Sequence, residues 1–405
     1  MLKFENKSKK KRERKTFKEF DYEKSILRLQ KLRPKYLNLK LLVPVLAVSL
    51  FGVLMVYSAS WYNAQNFHGN RFYFFTSQFI GLVIGIIALT MTYHLDYKIY
   101  RKRAWWILGI AVALLLVVFL PGIGIEILGA RRWIGIGGFT IQPSELAKFA
   151  FIIFAASVAA KASKENREEK LTLKKFLLIL AAGGTLCGII LLQPNLSIVL
   201  TLGATMITCL FLFGARWRHL LVLFIPVLVV IPIMLVAEPY RIARLVAFVD
   251  PWATPRAEGF QLIQSLFSLG NGGLFGRGFL NSTQKYMFLP FSESDFIFSI
   301  IGEEFGLVGS AIFLLTLGFI VWQIFKVGLR SRDTFARYVC FGIAALIFIQ
   351  SSINIAVVTG SIPPTGLPLP FVSFGGTSLA VFLAGIGIVL NIEKSNRQAD
   401  GYVIS

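Results

Sequence analysis

Histidine and cysteine are both scarce in this chain of 405 residues, with three of each. The histidines are far apart in the sequence, and each cysteine lies in or beside an apolar run, where a small buried hydrophobe is expected. This scarcity argues against a Cys/His metal cluster, a disulfide framework and a Ser/His/Asp catalytic arrangement. The residues concerned are His68, His94, His219, Cys187, Cys209 and Cys340.

Acidic residues are half as frequent as basic ones, 21 against 42, which gives a formal net charge of +21. Hydrophobic residues make up 55% of the chain, and its mean hydropathy is +0.67. Soluble domains do not carry many apolar runs of about 20 residues, whereas helical membrane proteins do. The basic N-terminus is not followed by a short apolar core, so we expect no cleavable signal peptide.

Ten apolar runs predict an all-α polytopic membrane protein with about ten transmembrane helices. We expect a basic cytoplasmic tail at 1–40, a single transmembrane domain at 41–392 and a cytoplasmic C-terminal tail at 393–405. Between spans 7 and 8, residues 238–294 form an extracytoplasmic loop that is long enough to carry function. The predicted spans are 41–60, 73–92, 104–121, 143–160, 174–192, 197–215, 220–237, 295–325, 338–358 and 371–390.

Basic residues are divided unequally between alternate connections. With the N-terminus in the cytoplasm, the inside segments contain 33 of the 42 Lys and Arg residues and the outside segments contain 8. The positive-inside rule therefore predicts that both termini are cytoplasmic. Topology and attraction to anionic membrane lipids explain the basic excess, so no nucleic-acid partner is expected. The remaining basic residue, Lys148, lies inside a span.

A carboxylate at the start of the eighth span is the first functional candidate. Asp295 lies where a polar loop enters an apolar run. Placing an acid there is energetically costly, so Asp295 is a candidate functional residue. The alternative is structural, because Ser292 and Asp295 have the S-x-x-D spacing of a capping box. Glu293 lies in the same loop. Two turns into the span, Glu303 and Glu304 either face a polar cavity or stand above the hydrocarbon.

A second group of charged residues surrounds the start of the fourth span. Glu145 and Lys148 are three residues apart and share one face of a helix that begins at Pro143. They could be a local ion pair that neutralises itself. A lysine at mid-helix costs about 2.5–3.5 kcal/mol on insertion, however, so we favour a buried functional pair. Arg132 precedes this span on the outside, beside Trp133, which is a candidate interfacial anchor.

The long extracytoplasmic loop contributes further cations and amides. Arg241 and Arg244 are three residues apart, and Gln261 and Gln264 repeat this spacing, so each pair can share one face of a short helix. Five glycines between 270 and 278 can bring backbone amides close to an anion, although a flexible connector explains them equally well.

Lys285, upstream of Asp295, completes a set of basic groups at the outer membrane face. This set suits a substrate with an anionic head and a lipid tail, approached from the bilayer. A second unusual outside segment, 359–370, contains four prolines and two glycines. Prolines fix φ and remove hydrogen-bond donors, so we predict a rigid, partly re-entrant link that lines a cavity.

At these motifs the chain resembles the FtsW/RodA/SpoVE family, the SEDS peptidoglycan glycosyltransferases. The resemblance covers nearly all of the chain after residue 40, and the DPW and NSTQK motifs are more similar to the cell-division branch than to the elongation branch. The segments that carry it are GARRWI at 129–134, QPSELAK at 142–148, AFVDPWATPRAEGFQLIQS at 247–265, GGLFGRGFLNSTQK at 272–285, SDFIFSIIGEEFGLVG at 294–309 and TGLPLPFVSFGGTSL at 365–379.

The resemblance implies an enzyme that polymerises lipid II, a disaccharide-pentapeptide on undecaprenyl diphosphate, at the outer face of the bacterial cytoplasmic membrane during septal wall synthesis. It implies that Asp295 is the catalytic carboxylate, acting as general base. Implied partners are a class B penicillin-binding transpeptidase, other division proteins and membrane lipids. Residues expected to bind the substrate diphosphate or to support the site are Arg132, Glu145, Lys148, Arg241, Arg244, Gln264 and Lys285.

The chemistry of this reaction fits the predicted site. A carboxylate can take the proton of the attacking sugar hydroxyl, and a single displacement with inversion is expected. The leaving diphosphate needs positive charge, which arginine, lysine or a divalent cation such as Mg²⁺ or Mn²⁺ can supply. Burial would raise the pKa of Asp295 and nearby cations would lower it, and the sequence leaves the net direction open.

The chain departs from the family pattern at two acidic positions. The usual Q-P-D-x-G reads QPNLS at 193–197, and Phe291 stands where a Glu commonly follows Leu-Pro. Two other functions therefore stay open. A lipid II flippase would have two related halves with corresponding broken helices. A non-catalytic scaffold of the division machinery would not need the acids.

Overall fold

The computed structural model describes residues 37–127, 129–136, 139–165, 171–221 and 239–401. The chain divides into two units, 1–38 and 39–405, and every helix and strand given below belongs to the second. The predicted basic tail and nearly all of the predicted seventh span lie outside the described residues.

The other nine predicted spans are helices, which confirms a multi-pass helical membrane protein. Seven helices of the described chain are long and apolar enough to cross a membrane, and α4 and α7 are shorter apolar helices. The helices are α1 Leu39–His68, α2 Tyr73–His94, α3 Lys98–Lys102, α4 Ala104–Val117, α5 Pro143–Glu165, α6 Leu173–Leu192, α7 Leu196–Leu212, α8 Pro239–Val249, α9 Phe260–Gly272, α10 Ile297–Arg330, α11 Thr334–Val358 and α12 Gly376–Gly401.

Helix α5 lies at the centre of the bundle. Nearly all of its residues between Pro143 and Lys161 are buried inside the protein, whereas most residues of α2 and α6 are not. It contacts α4, α6 and α11. Its alternation of alanine with larger apolar side chains lets neighbouring helices approach closely, which is how helices associate in a membrane. The charged residues at the start of α5 are therefore enclosed by protein.

Between α4 and α5 the chain forms an antiparallel sheet that the sequence analysis did not predict. Strands β1 Gly124–Ile127, β2 Ala130–Ile136 and β3 Phe139–Ile141 pair in the order β1-β2-β3. The register places Ile134 opposite both Gly124 and Ile141. Each strand is short, and the glycines among them resemble loop sequence, which hid the period-two pattern. The predicted all-α membrane fold holds, and this one small sheet in the connection between α4 and α5 is an addition to it.

The segment 359–375 between α11 and α12 contains neither helix nor strand and is lodged among the helices. Leu367, Leu369 and Val372 are buried. A Cβ on Gly52, near the middle of α1, would lie 2.6 Å from the Cα of Val372. The segment therefore reaches deep into the bundle, and the partial re-entry of 359–370 into the membrane stays a prediction.

The predicted start of the last span at residue 371 is wrong by five residues, because the irregular segment continues to 375. The buried amide of Gln78 donates to the Ser373 carbonyl at 3.0 Å and accepts from the Gly375 amide at 3.0 Å. These bonds replace the helical ones that residues 371–375 would make. Helix α12 then begins at Gly376, which packs closely against Gly81 of α2.

The long loop carries two helices, α8 and α9, separated by a 3-10 turn at Pro251–Ala253. Helix α9 packs directly on the first turns of α10: a Cβ on Gly272 would lie 2.0 Å from the Gly302 carbonyl oxygen. Buried serines link the same two helices, because the hydroxyls of Ser265 and Ser299 lie 2.8 Å apart. This contact fixes the loop above the start of α10.

Candidate active site

Asp295 lies two residues before α10, and the structure excludes the capping alternative. The helix begins after Phe296, and no side chain caps it. The hydroxyl of Ser292, which a capping box would use, instead donates to the Ala59 carbonyl of α1 at 3.2 Å. The Asp295 carboxylate is therefore not needed for the local fold.

The surroundings of Asp295 come from three parts of the chain. The Nδ2 of Asn354 on α11 donates to the Asp295 carbonyl at 2.8 Å and to the Leu367 carbonyl at 2.7 Å. A Cβ on Gly366 would lie 3.2 Å from the Asp295 Oδ2. The side chain is partly exposed, and within the described residues no group donates a hydrogen bond to its carboxylate. The carboxylate is thus free to accept a proton.

Burial raises the pKa of Asp295 to about 6, and the negative charge of Glu293 acts in the same direction. The positive charges of Arg244 and Arg132 lower the pKa by less. Burial also raises the pKa of Glu293 itself. The sequence left open whether burial or the cations would dominate, and burial does. A carboxylate with this pKa is mostly ionised at pH 7 and is a stronger base than an ordinary aspartate.

Glu145 and Lys148 form the buried ion pair predicted from their spacing. The Lys148 Nζ lies 2.8 Å from Glu145 Oε1, and both side chains are fully buried. The ammonium also donates to Gln350 Oε1 at 2.7 Å, and Ser378 donates to Glu145 Oε2 at 2.9 Å. The pair therefore links α5 to α11 and α12. Its role in the reaction stays a prediction.

Both carboxylates at 303 and 304 are buried within the protein and organise the loop that precedes Asp295. The chain from 282 to 285 wraps around them. Glu303 accepts from the Ser282 hydroxyl at 2.5 Å and from the Thr283 amide at 3.0 Å. Glu304 accepts from the Ser58 hydroxyl of α1 at 2.6 Å. Both acids are therefore enclosed by protein. Their position relative to the hydrocarbon stays a prediction.

Lys285 is fully buried, and its ammonium lies 3.2 Å from Glu304 Oε1. It also donates to the Leu280 carbonyl. Burial lowers its pKa, while Glu304 and Glu303 oppose that shift. Because these contacts neutralise the ammonium inside the loop, we assign Lys285 to the supporting part of the site.

The glycines at 270–278 dock the loop on α10 and do not form an open anion cradle. Helix α10 is interrupted at Gly306, where φ is 66° and ψ is −166°. The amides of Arg277 and Gly278 donate at 2.9 Å to the carbonyls of Glu303 and Glu304, which the interruption frees. Only glycine allows this approach, since a Cβ on Gly276 would lie 2.2 Å from the Glu304 carbonyl oxygen.

The remaining predicted residues lie on different elements. Arg132 on β2 donates from Nε to the Gln193 carbonyl at 3.2 Å and also contacts the Pro194 carbonyl. Arg244 is an exposed residue of α8, which is the predicted short helix. Gln264 is partly exposed on α9. The side chain of Arg241 lies outside the described part of the structure.

One of the two departures from the family pattern has a structural role here. Asn195 caps α7, with its side chain accepting from the Ile198 amide at 3.4 Å. Phe291 is an exposed residue with a φ of 54°. Among the described residues, no three His, Cys, Asp or Glu side chains converge as a metal site.

Three buried amides that hold the irregular segment were not among the predicted site residues: Gln78, Gln350 and Asn354. A usable signal was present, because strongly polar amides are rare inside apolar spans and usually face a partner within the bundle.

A family model described as Cell cycle protein, for FtsW, RodA and SpoVE, matches residues 39–398. The chain belongs to the FtsW/RodA/SpoVE family. It is 39% identical over 356 residues to a probable peptidoglycan glycosyltransferase FtsW of Geobacter metallireducens, covering 88% of this chain and 94% of the relative. It is 37% identical over 360 residues to the stage V sporulation protein E of Bacillus subtilis, covering 89% and 98%.

The fold of the FtsW/RodA/SpoVE family is also found among solved structures. A chain from a peptidoglycan synthase complex that coordinates polymerization and crosslinking superposes with a TM-score of 0.74 at 27% identity, over 90% of this chain and 99% of that chain. The resemblance predicted from six motifs is therefore confirmed. Two of those motifs, 294–309 and 365–379, meet where Gly366 contacts Asp295.

Proposed function

We propose that this chain is a peptidoglycan glycosyltransferase that polymerises lipid II at the outer face of the bacterial cytoplasmic membrane during cell division. Its relatives carry the name of that activity. The observation that carries the proposal is Asp295, a partly buried carboxylate with a pKa of about 6 and no hydrogen-bond donor among the described residues. Such a group is suited to general base catalysis.

In the proposed reaction, Asp295 takes the proton from a sugar hydroxyl of the acceptor. The hydroxyl oxygen forms a bond to the anomeric carbon of the donor sugar, and the bond from that carbon to the diphosphate oxygen breaks. The diphosphate leaves with the electron pair, so the anomeric configuration inverts. A second carboxylate is not required, because a diphosphate leaves without protonation when positive charge stabilises it.

Arginine supplies that positive charge in our proposal. Arg132 and Arg244 lie close enough to Asp295 to lower the pKa of its carboxyl group, so they share its electrostatic environment. Arg244 is exposed on α8, where a phosphate can approach it. Arg132 is tied to backbone carbonyls and would provide a fixed charge. Mg²⁺ or Mn²⁺ bound to the diphosphate would add to the same effect.

A class B penicillin-binding transpeptidase is the proposed partner. The solved relative belongs to a peptidoglycan synthase complex that coordinates polymerization and crosslinking. The alignment with the present chain covers 99% of the solved chain. Other division proteins and membrane lipids would complete the setting at the septum, with both termini in the cytoplasm as the basic residues predict.

The test is polymerisation of lipid II by the purified chain with its partner transpeptidase in detergent. Asp295→Asn should abolish glycan formation, because an amide cannot take the proton. Asp250→Asn is the matched control, since Asp250 lies in the same outer loop and caps a turn through an oxygen that asparagine retains. The proposal fails if the Asp295 variant polymerises at the normal rate.

The same preparations distinguish the other two functions. Translocation of lipid II in vesicles without polymer formation would identify a flippase. Support of cell division by Asp295→Ala, without glycan synthesis by the purified variant, would identify a scaffold.

A further inference from the structure

Two buried amides lie one helical turn apart on α11 and face the irregular segment. Gln350 and Asn354 are four residues apart, so they share one face of the helix. Gln350 is fully buried and Asn354 is 1% exposed. An amide in this position is costly unless its donors are satisfied. Both donors are directed at consecutive carbonyls of the segment.

Three consecutive residues of the segment are held in place around Asp295. The Nε2 of Gln350 donates to the Pro368 carbonyl at 2.8 Å, and the Nδ2 of Asn354 donates to the Leu367 carbonyl at 2.7 Å. The preceding residue, Gly366, lies against the Asp295 carboxylate.

The second hydrogen of the Asn354 amide goes to the backbone carbonyl of Asp295 at 2.8 Å. The side chain of Asn354 thus joins the backbone segment that carries the Asp295 carboxylate to the backbone segment that lies against that carboxylate. The two carbonyls also fix the orientation of the amide, because both must face the NH₂ group.

The amide pair has a rigid support on its other side. The carbonyl oxygen of Gln350 accepts from Lys148, whose ammonium is paired with Glu145. A buried ion pair whose remaining groups are hydrogen-bonded has few alternative arrangements, so it can hold Gln350 in one rotamer. A continuous path of contacts therefore leads from α5 through α11 to Gly366 and Asp295.

We propose that Asn354, supported by Gln350 and the Glu145–Lys148 pair, is a positioning residue that holds the Asp295 carboxylate in its reactive orientation. The inference rests on the proposed function of Asp295. Asn354 does not touch the reacting atoms, since both of its donors are used on backbone carbonyls. It acts by fixing the backbone on both sides of the carboxylate.

Removal of the two Asn354 hydrogen bonds should affect the chemical step more than substrate binding. In Asn354→Ala the two carbonyls lose their donor, and the carboxylate can turn toward water. A displacement of about 1 Å can cost roughly 100-fold in rate, so we expect kcat to fall about 10- to 100-fold with little change in KM. The acidic limb of the kcat profile should also move to lower pH, because a better-solvated carboxylate loses part of its raised pKa.

The experiment measures lipid II polymerisation by the full chain with its partner transpeptidase, from pH 5 to 8. Asn354→Leu keeps the branched shape of the side chain without its donors and leaves no cavity, so it separates loss of the hydrogen bonds from loss of packing. Both variants should lower kcat and shift the pH limb. Gln350→Met should have a smaller effect, because Pro368 is two residues from Gly366. Ser351→Ala is the control, since this buried hydroxyl has no partner in the described structure.

The outcomes separate this inference from the proposed function. The positioning role alone would be overturned if Asp295→Asn is inactive while Asn354→Leu is fully active. In that case Asn354→Leu would also elute normally in size-exclusion chromatography and show an unchanged acidic limb. An active Asp295→Asn would overturn the proposed function. If Asn354→Ala unfolds, the leucine variant decides, and a higher KM with unchanged kcat in that variant also contradicts positioning.

Discussion

Gly366 lies directly against the carboxylate of Asp295. Its φ of +73° is in the left-handed region, and a Cβ at this position would stand 3.2 Å from the Asp295 Oδ2. Two requirements therefore meet at one residue: a backbone conformation that favours glycine, and a close approach to a reactive group.

Gly366→Ala should lower kcat by displacing the carboxylate. The backbone strain costs on the order of 1 kcal/mol, and the new methyl group pushes Oδ2 away from its position. Gly360→Ala is the matched control, because Gly360 has a φ of +69° and its Cβ would meet only leucine side chains, the nearest at 3.4 Å. Both variants should lose similar thermal stability, whereas only the first should lose polymerisation. Equal activities would show that the contact has no catalytic consequence.

The pH dependence of polymerisation should report the pKa of Asp295, which is raised from 3.8 to about 6. The base is ionised above this pKa and protonated below it. The rate should therefore be constant above about pH 7 and should fall about tenfold for each pH unit below the pKa. A rate that stays constant down to pH 4.5 would contradict the assignment of Asp295 as a base with a raised pKa.

Charge substitutions around Asp295 should move this acidic limb in opposite directions. Glu293→Gln removes a negative charge that raises the pKa of Asp295, so the limb should shift to lower pH. Arg244→Gln removes a positive charge that lowers this pKa, so the limb should shift to higher pH. Profiles of kcat/KM against pH for the two variants test both signs. A shift of the two limbs in the same direction would contradict one of the two assigned charge effects, and no shift in either variant would contradict both.

The charged residues of the candidate site were identified from the sequence, whereas the amides were overlooked and their partners could not be predicted. An acid at the start of a span and a lysine within one stand out because their insertion into lipid is costly. Asn354 carries no charge, and its role depends on two carbonyls that are 59 and 13 residues away in the chain. No local pattern encodes that meeting.

The fold likewise has elements that the sequence predicts and elements that it does not. Long apolar runs predicted the helices, because length and hydropathy alone decide whether a span can cross a membrane. The sheet at 124–141 was missed, because β1 and β3 have only four and three residues and glycines lie between the strands. Residues 371–375 were assigned to a span by their hydropathy. Tertiary hydrogen bonds from Gln78 keep the end of this stretch out of the helix.

The buried pair Lys285–Glu304 should contribute to stability as a unit. The ammonium and the carboxylate lie 3.2 Å apart, with both side chains fully buried. Removing one partner leaves a buried charge without compensation, which typically costs about 3–5 kcal/mol. Removing both charges avoids that cost. Lys285→Met and Glu304→Gln should each lower the midpoint of thermal unfolding in detergent, and the double variant should lose much less than the sum of the two.

An exposed pair in the same protein provides the control for this cycle. Arg131 and Glu126 on the small sheet are also 3.2 Å apart, but about half of each side chain is exposed to solvent. Water and salt screen such a pair, so its coupling should be only about 0–1 kcal/mol, and the Arg131→Met/Glu126→Gln cycle should be nearly additive. Comparing the coupling energies of the two pairs tests the effect of burial, because the distance between the charged atoms is 3.2 Å in both. An additive cycle at Lys285–Glu304 would mean that the loop before Asp295 is held by its hydrogen bonds to Glu303 and Glu304 and not by the ion pair.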